Sequence, residues 1–311
     1  MIIAIDHGNF AIKTVHYQFT SGYMEHTTKP AIVDDYLEFN GKYYTLSDDN
    51  RVPYSMDKTR TDDFFILTLF AIAKELLHEK INTAEAKFIP IDLAVGLPPE
   101  HYGMMRDKFA AYFRNRGMIK FAYQGQSFSI TINQVMVYPQ ALLAIAQQSQ
   151  DVFKYDRIFV VDIGGYTTDI LLLKHGKPDM TYCRSLDMGV ITMFNDVRRK
   201  VNVSHQMQVW DEQIIKVLQE KEEFLPDDVK NLILDEKAQY VNKILRNLAE
   251  LQINLRSAPS VFVGGGSILF RDAIENSEDV YKPMFVEDSK ANAIGYYIMA
   301  QKQLSQKGEK K

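Results

Sequence analysis

Apolar positions along the chain fall into two rhythms. Short, dense runs of β-branched and aromatic residues predict buried strands: Met1–Ile5, Ile91–Gly96, Gln134–Tyr138, Arg157–Val161, Ile170–Leu173 and Ser260–Val263. Longer stretches of helical character lie between them. Helices are expected over Asp62–Lys80, Glu100–Arg116, Gln140–Gln148, Val190–Val201, His205–Lys221, Phe270–Asn276 and 290–303, with a long helical region after Pro226. Acidic residues open the first, and Pro139 sits where a missing N–H costs nothing. Ser204 and Ser289 stand as N-caps. Phe10–Phe19 and Tyr23–Thr28 extend the first strand into a meander. Asn40-Gly41 joins Tyr36–Phe39 to Lys42–Leu46 as a hairpin, and Lys120–Tyr123 pairs with Phe128–Ile132. Strands and helices alternating on this scale mean α/β layers.

Three of the strands run into glycine turns. The most informative is Val160-Val161-Asp162-Ile163-Gly164-Gly165-Tyr166-Thr167-Thr168-Asp169-Ile170: strand, turn, strand, with a carboxylate on each side. Glycine leaves room for backbone N–H groups to approach an anion. Asp162 and Asp169 would then flank a phosphate site, where Mg²⁺ and an attacking water need oxygen partners. Most Gly-Gly turns are plain hairpins, but this chain repeats the pattern at its start. Strand Met1–Ile5 is followed by Asp6, His7, Gly8 and Asn9, then by a strand carrying Lys13. In both copies a Gly follows the Asp by two residues and a polar or charged residue follows it by seven. Two related turns half a chain apart suggest two similar domains holding one nucleotide. The third turn, Gly264-Gly265-Gly266, is squeezed between Val261-Phe262-Val263 and Ile268-Leu269-Phe270, which argues against a linker.

Composition narrows the function. The chain has 311 residues, enough for two domains. Net charge is −4, which argues against broad nucleic-acid binding. A single cysteine, Cys183, allows no internal disulfide and fits a reducing cytoplasm. Phe64–Ala73, the most apolar helical stretch, is too short for a membrane. The seven histidines show no metal spacing. Trp210, near Ile214, reads as core packing, and His7 as a solvated turn residue.

Taken in order, Asp6 to Lys13, Tyr138-Pro139-Gln140-Ala141, Asp162 to Asp169, Gly264 to Phe270 and Asn292-Ala293-Ile294-Gly295 resemble the five motifs of the actin-like ATPase superfamily. Leu97-Pro98, Val137-Tyr138-Pro139-Gln140, Ser185-Leu186-Asp187-Met188-Gly189-Val190 and Val263-Gly264-Gly265-Gly266 look most like its ParM/StbA-type plasmid-segregation members and their archaeal and phage relatives. The resemblance implies an actin-like two-domain ATPase fold: duplicated ribonuclease H-like domains with a nucleotide cleft between them. Domain I would span 1–150 with a small insertion at about 30–60. Domain II would span 151–311 with a helical insertion at about 188–256, and the last helix, about 289–303, would pack back on domain I.

The resemblance also assigns roles. Asp6 and Asp162 would hold Mg²⁺. Lys13 would contact the β- and γ-phosphates, and Gly8, Asn9, Gly164, Gly165, Tyr166 and Thr167 would cradle phosphate oxygens. Gln140, Asp169 and Asp162 would form the catalytic set, with Gln140 and Asp169 ordering the attacking water. Gly264, Gly265, Gly266, Ser267 and Leu269 would line the adenosine pocket. Many plasmid-segregation actins carry Glu where this chain has Gln140; actin itself has Gln. A Gln orients water without acting as a base, which implies slow hydrolysis.

The implied function is a cytoplasmic, filament-forming ATPase, using ATP or GTP with Mg²⁺, that moves or segregates plasmid DNA. Its partners would be further copies of itself, head to tail, and a DNA-binding adaptor, with no membrane. A small-molecule kinase of the same fold and a non-polymerising nucleotide-binding scaffold are the alternatives. The first wants a second acidic site in domain I, which is not evident. The second sits poorly with the complete set Asp6, Lys13, Gln140, Asp162 and Asp169.

Overall fold

The computed structural model describes residues 1–33, 35–81, 88–145 and 154–308. Six strands come first: β1 (Ile2–His7), β2 (Ala11–Lys13), β3 (Gln18–Thr20), β4 (Gly22–His26), β5 (Tyr36–Phe39) and β6 (Lys42–Arg51). Helix α1 (Asp63–His78), β7 (Ile89–Leu97), α2 (Pro99–Arg114), β8 (Met118–Tyr123), β9 (Gln126–Pro139) and the short α3 (Leu142–Ile145) follow. Next are β10 (Arg157–Ile163), β11 (Thr168–Lys174), β12 (Lys177–Leu186), α4 (Val190–His205), α5 (Asp211–Leu218) and α6 (Asp227–Glu250). The chain closes with β13 (Ser260–Val263), α7 (Gly265–Leu269), α8 (Arg271–Glu275), β14 (Pro283–Phe285) and α9 (Ala291–Gly308). Two compact units result: Met1–Ala146 with Lys290–Lys311, and Gln147–Ser289. The boundary expected at 150 and 151, and the end of the helix expected over Gln140–Gln148, lie outside the described residues.

In the first unit the described strands form one sheet in the order β3-β2-β1-β7-β9-β8-β5-β6-β4. Its centre, β1, β7 and β9, is parallel. Side chains alternate across a strand, so β1 feeds two cores. Ile3 and Ile5 join a cluster with Phe64, Leu67, Phe70, Phe109 and Phe113 from α1 and α2. Ala4 faces the other way, with Ala94, Met136, Tyr138, Tyr296 and Ala300. Small residues on that face let α9 come close: a Cβ added at Gly96 would lie 2.0 Å from the Tyr296 Oη. Helix α1 is buried continuously from Phe64 to Ala73, as its composition predicts. Each large apolar side chain buried there contributes roughly 1.5–3 kcal/mol.

Several local expectations change. The strand expected over Phe10–Phe19 is two strands, because Thr14 N–H donates to the Tyr17 carbonyl (2.8 Å) and Tyr17 N–H to the Thr14 hydroxyl (2.9 Å), closing a turn. The segment 31–60 contributes β5 and β6 to the main sheet, beside β8 and β4. The two strands expected after Gln126 are one, β9, which continues through a register irregularity against β7. The helix expected from Gln140 begins at Leu142 instead, because Ala141 takes a left-handed φ of 61°.

The second unit has a sheet in the order β12-β11-β10-β13-β14. Its β10, β13 and β14 are parallel, and β10, β11 and β12 antiparallel. The order β3-β2-β1-β7-β9 in the first unit has the same plan, so the fold is duplicated. The helical block α4–α6 packs through one stripe of α6, including Val229, Ile233, Tyr240, Ile244 and Leu248, at helical spacing. The helix expected over His205–Lys221 does not form as one piece. Helix α4 already contains Ser204, whose hydroxyl bonds back to the Lys200 carbonyl at 2.8 Å. It ends at Gln206 with φ 52°. Trp210 then precedes α5 and is 56% exposed, which corrects its reading as core. The helix expected from Phe270 is preceded by α7, which starts inside the glycine turn. Among the described residues no helix is long and apolar enough to cross a membrane.

Candidate functional site

In the first unit β1 delivers Asp6 and His7 to the end of the sheet, and β2 returns beside it with Asp6 opposite Lys13 and His7 opposite Ile12. Asp6 is buried. Its Oδ1 accepts a hydrogen bond from Gln140 Nε2 at 2.9 Å. Its Oδ2 lies 4.0 Å from the Lys13 Nζ. Gln140 reaches this point because its own N–H is fixed to the Leu97 carbonyl at 2.8 Å, and Ala141 N–H donates to Asn292 Oδ1 at 2.9 Å. The turn between the strands has no room for a side chain at Gly8, where a Cβ would stand 2.6 Å from the Ala11 carbonyl oxygen. The Ser21 hydroxyl donates to the Gly8 carbonyl. Arg51 donates to the Phe10 carbonyl at 3.0 Å and lies over the Phe10 ring.

His7 is not the solvated residue expected from sequence. It is fully buried, with Nε2 and the Thr68 Oγ1 2.8 Å apart. Its ring stacks on Phe113 and meets Phe64 and Phe109 edge-on. Burial, helped by the Lys58 ammonium, lowers its pKa to about 3. It is therefore a neutral anchor joining the end of β1 to α1. The run of apolar residues before it is the available signal, since a strand end pointing into a core needs a residue that packs.

In the second unit the same construction recurs. Asp162 on β10 stands opposite Asp169 on β11, and Ile163 opposite Thr168. Both aspartates are buried. Gly164 N–H donates to the Thr167 carbonyl at 2.8 Å, closing the turn. The N-terminus of α4 then takes its carbonyls: Val190 N–H donates to Gly164 at 3.0 Å and Ile191 N–H to Gly165 at 2.8 Å. A trans peptide points its N–H opposite to its C=O. With both carbonyls turned to α4, the amides of Gly165 and Tyr166 face away from it. Gly189 permits this packing, since a Cβ there would fall 2.5 Å from the Gly165 carbonyl. The Thr168 hydroxyl donates to the Met188 carbonyl at 2.5 Å, and Thr167 Oγ1 to Asp169 Oδ2 at 3.1 Å.

Strand β13 runs parallel to β10 with Val263 opposite Asp162, and so sets the triple glycine beside that carboxylate. Gly264 has φ 87°, and a Cβ on it would lie 2.3 Å from Asp162 Oδ1. Gly266 packs against Ile163 and Val190, while Gly265 has nothing within 4 Å of the added Cβ. The Ser267 hydroxyl donates to the Val263 carbonyl at 2.5 Å, and Leu269 ends α7.

Asp6, Gly8, Asn9, Lys13 and Gln140 thus gather in the first unit. Asp162, Gly164, Gly165, Tyr166, Thr167, Asp169, Gly264, Gly265, Gly266 and Ser267 gather in the second, with Leu269 at the far end of its short helix. Sequence reasoning missed the buttresses Ser21 and Arg51, for which no local pattern exists. Buried carboxylates are the hard oxygen donors that Mg²⁺ takes, so Asp6 and Asp162 suit that ion chemically.

Two family models match the chain. Residues 4–142 match the actin-like proteins N-terminal domain. Residues 160–276 match the C-terminal domain of the archaeal MreB-like actin homologue. No curated protein matches. Among solved structures, the archaeal actin homologue Ta0583 is similar over 97% of this chain and 99% of its own, at 21% identity and TM-score 0.75. A ParM from a 15-stranded filament of Clostridium botulinum is similar over 97% of this chain and 99% of its own, at 19% identity and TM-score 0.76. AlfA, solved as a filament bound to AMPPNP, covers 98% of each chain at 15% identity and TM-score 0.60. The chain belongs to the actin-like ATPase superfamily. Within it, the chain resembles the ParM-type members.

Proposed function

We propose that this protein is a nucleotide-dependent, filament-forming ATPase of the actin-like class, with Mg²⁺ and ATP or GTP as its ligands. The observation that carries the reading is the shared register of the two turns, Asp6 opposite Lys13 and Asp162 opposite Asp169. Lys13 brings a point charge suited to the β- and γ-phosphates. The amides around Gly8 and Asn9, and those of Gly165, Tyr166 and Thr167, supply N–H donors for phosphate oxygens, while Gly164, its N–H held by the Thr167 carbonyl, shapes the turn. Asp6 and Asp162 would hold Mg²⁺, which when bound offsets phosphate charge. Gly264, Gly265, Gly266, Ser267 and Leu269 would line the adenosine.

Gln140 and Asp169 are assigned to the attacking water. Gln140 spends an Nε2 donor on Asp6, and its Oε1 can accept from water. Phosphoryl transfer needs mainly positioning and charge stabilisation, so a Gln suffices at a modest rate.

Assembly is supported by the resemblance to ParM and AlfA, both solved as filaments. Head-to-tail stacking is a heterologous contact that stays open and yields a filament. On this reading the polymer moves plasmid DNA through a DNA-binding adaptor. The test is 90° light scattering with pelleting in ATP, GTP, a slowly hydrolysed analogue and ADP, across protein concentrations. Assembly should show a critical concentration that is higher in ADP, with longer-lived polymer in the analogue. A protein that stays monomeric in every nucleotide, at concentrations that assemble a ParM control, overturns the filament reading.

A further inference from the structure

Away from these turns, three potential metal ligands meet on the first unit. Glu75 and His78 are one turn apart on α1, a spacing that puts them on the same helix face. His16 comes from the turn between β2 and β3. One ligand atom from each of the three lies within 4.8 Å of the others. The Glu75 Oε2 and His16 Nδ1 are 2.7 Å apart, and the Glu75 Oε1 accepts the His16 backbone N–H at 3.1 Å. The two imidazoles stack face to face with centroids 3.8 Å apart and an 18° tilt.

We propose that His16, Glu75 and His78 form a divalent metal site best matched by Zn²⁺. The carboxylate of Glu75 is buried while both histidine side chains reach solvent. The buried Glu75 carboxylate faces the His16 backbone N–H and ring, and the two imidazoles beside it offer nitrogen lone pairs. A cation placed among them satisfies all three. Zinc takes nitrogen and carboxylate oxygen at about 2.0–2.2 Å. In a tetrahedral set two donors on one ion stand about 3.4 Å apart, and the ion lies in the plane of each imidazole, so the two exposed rings turn out of their face-to-face stack to close the site. The hydrogen bond between His16 and Glu75 holds the ring in place beforehand; on metal entry through Nδ1 the ring proton moves to Nε2.

Two imidazoles favour zinc, nickel or copper over Mg²⁺ and Ca²⁺, which prefer all-oxygen sets. Three protein ligands leave a fourth position on the solvent side for water or a group from another molecule. Spacing along the chain does not show this cluster, since Glu75 is 59 residues from His16, a separation no motif encodes. The site lies wholly within the first unit and is independent of the nucleotide reading.

The experiment uses the full chain stripped with a chelator. Calorimetric titration with Zn²⁺ should give one equivalent, and thermal melting should rise by about 5 °C or more at a hundredfold excess over Kd. Mg²⁺ and Ca²⁺ should shift nothing at that concentration. His16→Asn and His78→Asn, at exposed positions that leave the core intact, should each weaken Zn²⁺ at least about tenfold. His175→Asn, an exposed histidine of the second unit, should bind as the parent does. The proposal is overturned if no stoichiometric Zn²⁺ binds, if the site variants bind as tightly as the parent, or if Mg²⁺ gives the same shift.

Discussion

The turn after Asp6 and the turn after Asp162 are built to one register and held by different means. In each, an antiparallel return places the seventh residue after the aspartate directly opposite it. In the first unit that residue is Lys13, and the neighbouring Gln140 amide also donates to Asp6. In the second it is another carboxylate, Asp169. Like charges set opposite each other on paired strands are destabilising. The first turn thus pairs its aspartate with a cation, and the second pairs its aspartate with a like charge, which the proposed function gives to Mg²⁺ and the attacking water.

The supports differ as well. Side chains from elsewhere in the chain hold the first turn: Ser21, between β3 and β4, on the Gly8 carbonyl and Arg51 of β6 on the Phe10 carbonyl. The second turn is held by backbone, the start of α4 taking the Gly164 and Gly165 carbonyls. Its tolerance therefore rests on absent side chains, at Gly189, Gly264 and Gly266. The third contrast is the residue after each aspartate. Ile163 and His7 occupy equivalent buried positions, one apolar, the other an imidazole kept neutral.

The largest expected effect breaks the charge contrast. Asp169→Ala leaves one carboxylate in the second turn. Hydrolysis should fall by roughly 10²-fold or more, the range for lost water positioning or base assistance, while fluorescent-nucleotide titration shows binding retained. Phosphate release at the parental rate would remove Asp169 from the catalytic set and leave the Asp162–Asp169 pairing without a chemical purpose.

The next breaks the contrast between His7 and Ile163. With a folded pKa of about 3 against 6.5, His7 binds its proton more readily in the unfolded chain. Stability from this group is complete above pH 6.5 and declines as pH falls toward 3. The decline is about 1.4 kcal/mol per pH unit, so about 2 kcal/mol is lost by pH 5. His7→Ile copies the second unit. Urea unfolding at pH 7.5 and pH 5 should show this variant losing about 2 kcal/mol less than the parent between the two pH values. Equal losses would mean that His7 is protonated inside the fold.

The same contrasts separate what is legible in the amino-acid sequence from what is not. Strand-ending aspartates and paired glycines are local and strong signals, so the two turns and the duplicated α/β plan can be read from them, and the buried helix at Phe64–Ala73 from its apolar run. The exact supports cannot, because Arg51 and Ser21 act on residues far from them in sequence. His7 misleads because a histidine after Asp and before Gly looks like a turn residue, and only the packing of Phe64 from α1 and of Phe109 and Phe113 from α2 buries it. Trp210 misleads for the converse reason: its helical spacing to Ile214 is real, but α4 ends at Gln206 and leaves the indole ahead of α5. The His16–Glu75–His78 cluster has no signature in spacing at all, since the fold alone brings the turn after β2 to α1.

The smallest expected effect tests whether side chains hold the first turn. Ser21 is buried, and its hydroxyl is the donor given to the Gly8 carbonyl. Ser21→Ala removes that donor and keeps the small volume. Losing one part-buried hydrogen bond costs about 1 kcal/mol, which should lower melting by about 2–4 °C in a unit of this size. Because Gly8 carries amides assigned to phosphate, nucleotide affinity should fall a few-fold in the same variant. The matching change in the second unit is Thr168→Val, which removes the hydroxyl bonded to the Met188 carbonyl. It should cost similar stability yet leave nucleotide affinity nearly unchanged, since α4 backbone donors still fix Gly164 and Gly165. If Ser21→Ala leaves affinity untouched while Thr168→Val lowers it, the roles of side chain and backbone in the two turns are the reverse of those drawn from their hydrogen bonds.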